Sequence, residues 1–119
     1  MRTSLLFGAL FLVTACGSKT SEGTLTVGTH SVEVTREGDL VAGGTTNFAV
    51  KVDGGTTVDS VQAWYGLESD TQRTSCDYDS ADGDYDCDVS IANPIPPGAQ
   101  LFIVVTTNGS PATGSISVK

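Results

Sequence analysis

Along most of the chain after residue 23, apolar and polar side chains alternate with the period of two that belongs to β-strands. In residues 45–52, Phe48, Val50 and Val52 share one side, while Asn47, Ala49 and Lys51 take the other. This is the clearest half-buried strand of the amino-terminal half. Leu25, Val27, Val32 and Val34 repeat the pattern and predict one strand broken near Gly28, or two. Residues 58–67 predict another strand, with Val61, Ala63 and Tyr65 inward and Trp64 a partly buried exception. Residues 93–98, reading NPIPPG, cannot donate a regular ladder of hydrogen bonds and predict a corner. Beyond it, Asn108-Gly109 signals a tight hairpin that sets Val105 opposite Ala112, Ile103 opposite Gly114 and Leu101 opposite Ile116. Pro111 suggests that the last strand lies at a sheet edge.

The first 16 residues follow a different rule. Arg2 and the amino terminus supply positive charge, residues 5–12 are an apolar run, and Val13-Thr14-Ala15 narrows to small residues before Cys16. This is the layout of a secretory signal peptide, and the run is too short to span a bilayer as a helix. Val13-Thr14-Ala15-Cys16 resembles the lipobox of bacterial lipoproteins. The resemblance implies cleavage before Cys16, acylation of that thiol and anchoring in a membrane. With Gly17 rather than Asp after the cysteine, it implies the outer membrane. The expected organisation is a signal peptide over residues 1–15, a lipidated tether over 16–23 and one folded domain over 24–119.

Without residues 1–15, which hold Arg2, 104 residues remain, with five Lys and Arg against fourteen Asp and Glu, a formal charge of −9. An acidic surface repels nucleic acid and anionic headgroups but leaves a protein or cationic envelope partner open. Outside the cytosol, the two remaining cysteines, Cys76 and Cys87, are expected to form a disulfide.

That bridge selects the register of the hairpin expected over residues 72–91. A two-residue turn at Asp82-Gly83 would set Cys76 opposite Val89; a four-residue loop over 80–83 sets Cys76 opposite Cys87 and Asp79 opposite Asp84. The second register is adopted. It places Cys76, Tyr78, Tyr85, Cys87, Val89 and Ile91 on one face, with Asp77, Asp79, Asp84, Asp86 and Asp88 on the other. Asp77 then neighbours Asp86 across the strands, so like charges crowd.

About seven short strands with frequent turns predict an all-β fold, a single immunoglobulin-like antiparallel β-sandwich. The arrangement of Asn47-Phe48, Val50 and Val52, the Gly-rich turn, Val61 to Trp64, Pro97-Gly98 and the closing hairpin is similar to small periplasmic sandwiches such as YtkA-like domains. Met1 is the chain's one methionine, so the copper handling of metal-binding relatives is not carried over.

The acidic hairpin is the sharpest candidate for chemistry. Its DYDSADG run departs from an EF-hand loop at Ala81, and its glycine falls one place late. A sheet-borne Ca²⁺ site using Asp77, Asp79, Asp84 and Asp86 is the metal reading; a solvated acidic face that discourages edge pairing is the plainer one. Trp64 and Tyr65 are candidates for a carbohydrate or peptide platform, with packing the simpler role. His30 is expected as a lone surface histidine. No nucleophile elbow or phosphate-binding glycine motif occurs in the sequence. The expected function is that of a non-catalytic, lipid-anchored envelope protein with a structural or interaction role. A Ca²⁺-binding module is the alternative, and a small hydrolase the second alternative.

Overall fold

The computed structural model describes residues 19–53 and 57–119. The signal segment, the lipobox and Cys16 lie outside the described residues, as do Gly54 and Gly55 of the turn expected after Asp53.

The described chain is all-β, two antiparallel sheets built from nine strands among the described residues. These are β1 (Lys19–Val27), β2 (His30–Glu37), β3 (Thr45–Asp53), β4 (Ser60–Gly66), β5 (Thr74–Ser75), β6 (Asp77–Asp79), β7 (Asp84–Ser90), β8 (Gln100–Thr107) and β9 (Ser110–Ile116). One sheet runs β1-β2-β3-β7-β6, the other β5-β4-β8-β9. Nine strands replace the expected seven for two reasons. The Leu25 to Val34 pattern divides at a two-residue turn, where Gly28 has a positive φ of 64° and Val27 pairs with His30. The first arm of the acidic hairpin divides at Cys76: Thr74 and Ser75 pair with β4, whereas Asp77 to Asp79 pair with β7. Cys76 is where the chain changes sheets, and its N–H reaches Val61 O at 2.9 Å.

Alternation places Val32, Val34, Phe48, Val50, Val89 and Leu101, among others, between the sheets, where they are fully buried. The closing hairpin adopts the expected pairs of Val105 with Ala112, Ile103 with Gly114 and Leu101 with Ile116. At one side of the sandwich β1 and β9 come together. A Cβ at Gly114 would lie 2.8 Å from Val27 Cγ2, so the backbones close there only because residue 114 has no side chain.

Three expectations are corrected. The tether assigned to residues 16–23 loses Lys19 to Gly23, which form the start of β1 against β2. The small polar residues hid this strand because its inward side chain is charged. Glu22, the extra residue of a bulge between Ser21 and Gly23, is 4% exposed. Its Oε2 accepts from Arg36 Nη1 at 2.6 Å and its Oε1 from the Lys119 backbone N–H at 2.8 Å. Arg36 also donates to Lys119 O and, through Nε, to Gly38 O, so the buried pair is satisfied on both sides.

His30 is the second correction: it is 4% exposed rather than a surface residue. It shares the inward parity of Val32 and Val34. Its Nδ1 lies 3.2 Å from Asp53 O, and its Nε2 lies 3.0 Å from Thr107 Oγ1. A carbonyl can only accept, so Nδ1 donates to Asp53 O.

Tyr78 is the third. It shares a face with the buried Cys87 and Val89 yet is 60% exposed, because β5 ends at Ser75 and leaves no strand above it. Its ring leans on Tyr85, with centroids 5.0 Å apart and planes tilted by 59°.

Truncating Arg36 to Ala leaves the Glu22 carboxylate buried without its countercharge, and urea unfolding is expected to show a loss of about 3–5 kcal/mol. Replacing both Glu22 and Arg36 by Leu removes both charges together and is expected to cost less than Arg36→Ala alone.

Candidate functional site: the acidic hairpin and the adjoining cleft

The β6–β7 hairpin has the register that a four-residue loop demands, with Asp77 opposite Asp86, Tyr78 opposite Tyr85 and Asp79 opposite Asp84. The loop is closed by Gly83 N–H donating to Asp79 O at 2.8 Å and by Ala81 N–H donating to Asp79 Oδ1 at 3.0 Å. Gly83 carries a φ of 73°, a left-handed conformation that other residues adopt at a cost. Cys76 and Cys87 are joined by a disulfide across a Cα separation of 4.4 Å, the spacing of a non-hydrogen-bonded antiparallel pair.

Carboxylates therefore crowd the outer face, as expected, but they do not converge as expected. Ligand atoms of Asp79, Asp82 and Asp84 lie within 4.8 Å of one another, whereas Asp77 and Asp86 fall outside this group. Those two sit two residues along their strands, about 7 Å away in rise, too far to share an ion with the loop end. Asp82 replaces them. It stands in the turn, where strand alternation gives no information, and only its proximity in sequence to Asp79 and Asp84 hinted at a role.

Within the trio, Asp84 is half-buried, and its Oδ1 is buried without a hydrogen-bond partner. Burial pushes the Asp84 carboxyl above its ordinary pKa of 3.8, with Asp82 and Asp79 adding repulsion. Asp86 is raised in the same direction, first by burial and then by Asp84 and Asp79. Asp88 is exposed and accepts a hydrogen bond from Asn47 Nδ2 at 2.9 Å.

Beside the hairpin, where β5 leaves β7, a cleft of about 420 Å³ opens between residues 70–74 and 89–92, with Trp64 and Tyr65 in its wall. Trp64 is no open platform, being 5% exposed on the outer face of the four-stranded sheet. One side of its ring stacks on Phe102 at 4.8 Å, and the Arg73 guanidinium lies 4.2 Å from its centroid. Its Nε1–H donates to Leu67 O at 2.9 Å, which ties down the segment that follows β4. The indole thus serves packing, while Tyr65 reaches the core from the other side of the strand.

The raised carboxyls have a signed consequence. A carboxyl whose folded pKa exceeds its unfolded value destabilises the fold at neutral pH, and this penalty disappears as pH falls through the folded pKa toward 3.8. In a metal-free buffer, Asp84→Asn is expected to melt higher than the unaltered protein at pH 7. The gap should close near pH 4, as thermal melts across that range would record. No family model matches the chain, and no curated protein or solved structure matches it.

Proposed function

We propose that this protein is a non-catalytic module held to an extracytoplasmic membrane by lipid on Cys16, acting by contact with other components of the envelope. The observation that carries the reading is the Val13-Thr14-Ala15-Cys16 sequence directly behind an apolar run. The Cys76–Cys87 bridge supports it, since disulfides persist in oxidising compartments. Lys19, the first residue of β1, follows Cys16 by three positions, a reach of about 10 Å when fully extended. Such a leash holds the sandwich against the bilayer surface. Two or more acyl chains supply the stable anchoring that a single chain does not. The outer membrane is the proposed destination.

A radiolabelled or alkyne-bearing palmitate fed to cells making the full chain is expected to label it, and Cys16→Ala to abolish the label. Persisting label in that variant would end the anchoring proposal.

A second reading, Ca²⁺ binding, is favoured by the unpartnered Asp84 Oδ1 within the Asp79, Asp82 and Asp84 group. Oxygens closer than about 5 Å can share an ion that takes each at about 2.3–2.6 Å. Titrating the full chain with Ca²⁺ in a calorimeter is expected to release or absorb heat and to raise the melting temperature, both abolished by Asp82→Asn. No heat and no thermal shift at millimolar Ca²⁺ would remove this reading.

A further inference from the structure

The peptide groups of β7 alternate in direction, and the structure shows which way each one points. Ile91 N–H donates to Gly44 O, and Gly43 N–H donates to Ile91 O, so Ile91 faces the β3 side. Residues of the same parity, Val89, Cys87 and Tyr85, face β3 as well, and Asp84, Asp86, Asp88 and Ser90 face the opposite way. β6 takes up Asp84 and Asp86 and pairs no further than Asp77 with Asp86. The close Cα approach of Cys76 to Cys87 fits the same alternation, since a non-hydrogen-bonded pair belongs there. Past this point the chain that would have continued the ladder belongs to the other sheet, where Thr74 pairs with Ala63. Asp88 and Ser90 thus present their N–H and C=O groups to an edge that no strand occupies among the described residues.

This edge borders the cleft of about 420 Å³, whose wall includes Val89, Ser90 and Ile91. We propose that the β7 edge from Asp88 to Ser90, with the cleft beside it, docks an extended basic segment of a partner protein by strand addition. The register dictates what fits. A residue opposite Val89 points between the sheets, toward the cleft and the half-buried Tyr65, and accepts an apolar side chain. Residues opposite Asp88 and Ser90 point to the outer face, beside a row of carboxylates from Asp84, Asp86 and Asp88. A Lys or Arg opposite Asp88 would lie about 5 Å from it at Cβ. Arg73, held on Trp64, lines the cleft as well, so the cations of such a segment belong on the outer face beside the carboxylates and its apolar side chain in the cleft. Main-chain pairing supplies affinity, and the alternating side chains supply selection. The proposal deepens the interaction role above and does not depend on the lipid: palmitate labelling tests that role's anchor, and the experiment below tests only the edge.

The probe is a fluorescent peptide, Thr-Ser-Lys-Val-Lys-Ser-Thr, which reads the same in either strand direction. Anisotropy is measured against the full chain in detergent at low salt. The peptide is expected to bind, and three changes are each expected to weaken it about tenfold or more, the equivalent of one hydrogen bond of about 1.4 kcal/mol. The first is Glu for both lysines. The second is N-methylation of both lysines, which keeps the charge and removes the donors. The third is Ser90→Pro in the protein, which removes the outward N–H and leaves the bonds to β3 in place, a substitution edge strands tolerate. Binding that is absent at millimolar protein, or that survives N-methylation undiminished, overturns the proposal. The methylated peptide decides the matter even if Ser90→Pro fails to fold.

Discussion

The covalent tie between Cys76 and Cys87 governs the arrangement of this half of the molecule. At Cys76 the chain steps from the four-stranded sheet to the five-stranded one, with two residues paired on one side and three on the other. Segments that short cannot hold their register by hydrogen bonds alone. Closing a loop of 11 residues contributes about 3 kcal/mol on the chain-entropy account, a large share of the roughly 5–15 kcal/mol net stability of a domain. With the crossing point fixed, the rest follows in order. Asp77 meets Asp86 and Asp79 meets Asp84, the carboxylates face water, and β6 stops short of covering the second half of β7. The crowded acidic face and the open edge are two outcomes of one constraint.

The interior pairs small β-branched side chains with a few buried polar groups near the ends of strands. Glu22, His30, Arg36 and Thr46 are buried, and their hydrogen-bond partners are backbone carbonyls, the Lys119 amide, the Thr107 hydroxyl and one another. Apolar residues would pack there without desolvation cost. The polar set instead demands particular partners, so neighbouring strands cannot slip by a register without stranding a charge. On the outer face of the four-stranded sheet, Trp64, Phe102 and Val104 form a separate small cluster, which the Trp64–Leu67 hydrogen bond helps to cover.

Much of this was legible in the sequence because strand alternation is a strict rule. Phe48, Val50 and Val61 went inward as their parity required, and combining that parity with the cysteine spacing placed the acidic hairpin in its correct register. The same parity points His30 and Arg36 inward, but polar chemistry argues for the surface, as it does in the expectation for His30. Their partners, a carbonyl 23 residues away, a threonine 77 residues away and Glu22 in a polar run, leave no local trace. Asp82 escaped for a different reason, since a turn residue belongs to neither face. The division of one hairpin arm between two sheets was invisible too: the bend at Cys76 is enforced by a bond to Val61 in a strand formed earlier in the chain.

The Glu22 carboxylate joins the first strand to a residue 97 positions later, at Lys119. In a chain made from its amino terminus, β1 can pair with β2 at the outset, yet Glu22 lacks one of its partners until residue 119 follows. Contacts of such long sequence separation slow folding, because the chain loses loop entropy before any bond compensates for it. Until then, the acid at position 22 stays hydrated and the β1 flank is still without β9. Closure of this side of the sandwich therefore waits for the arrival of β9 and the segment behind it, however early β1 and β2 have met.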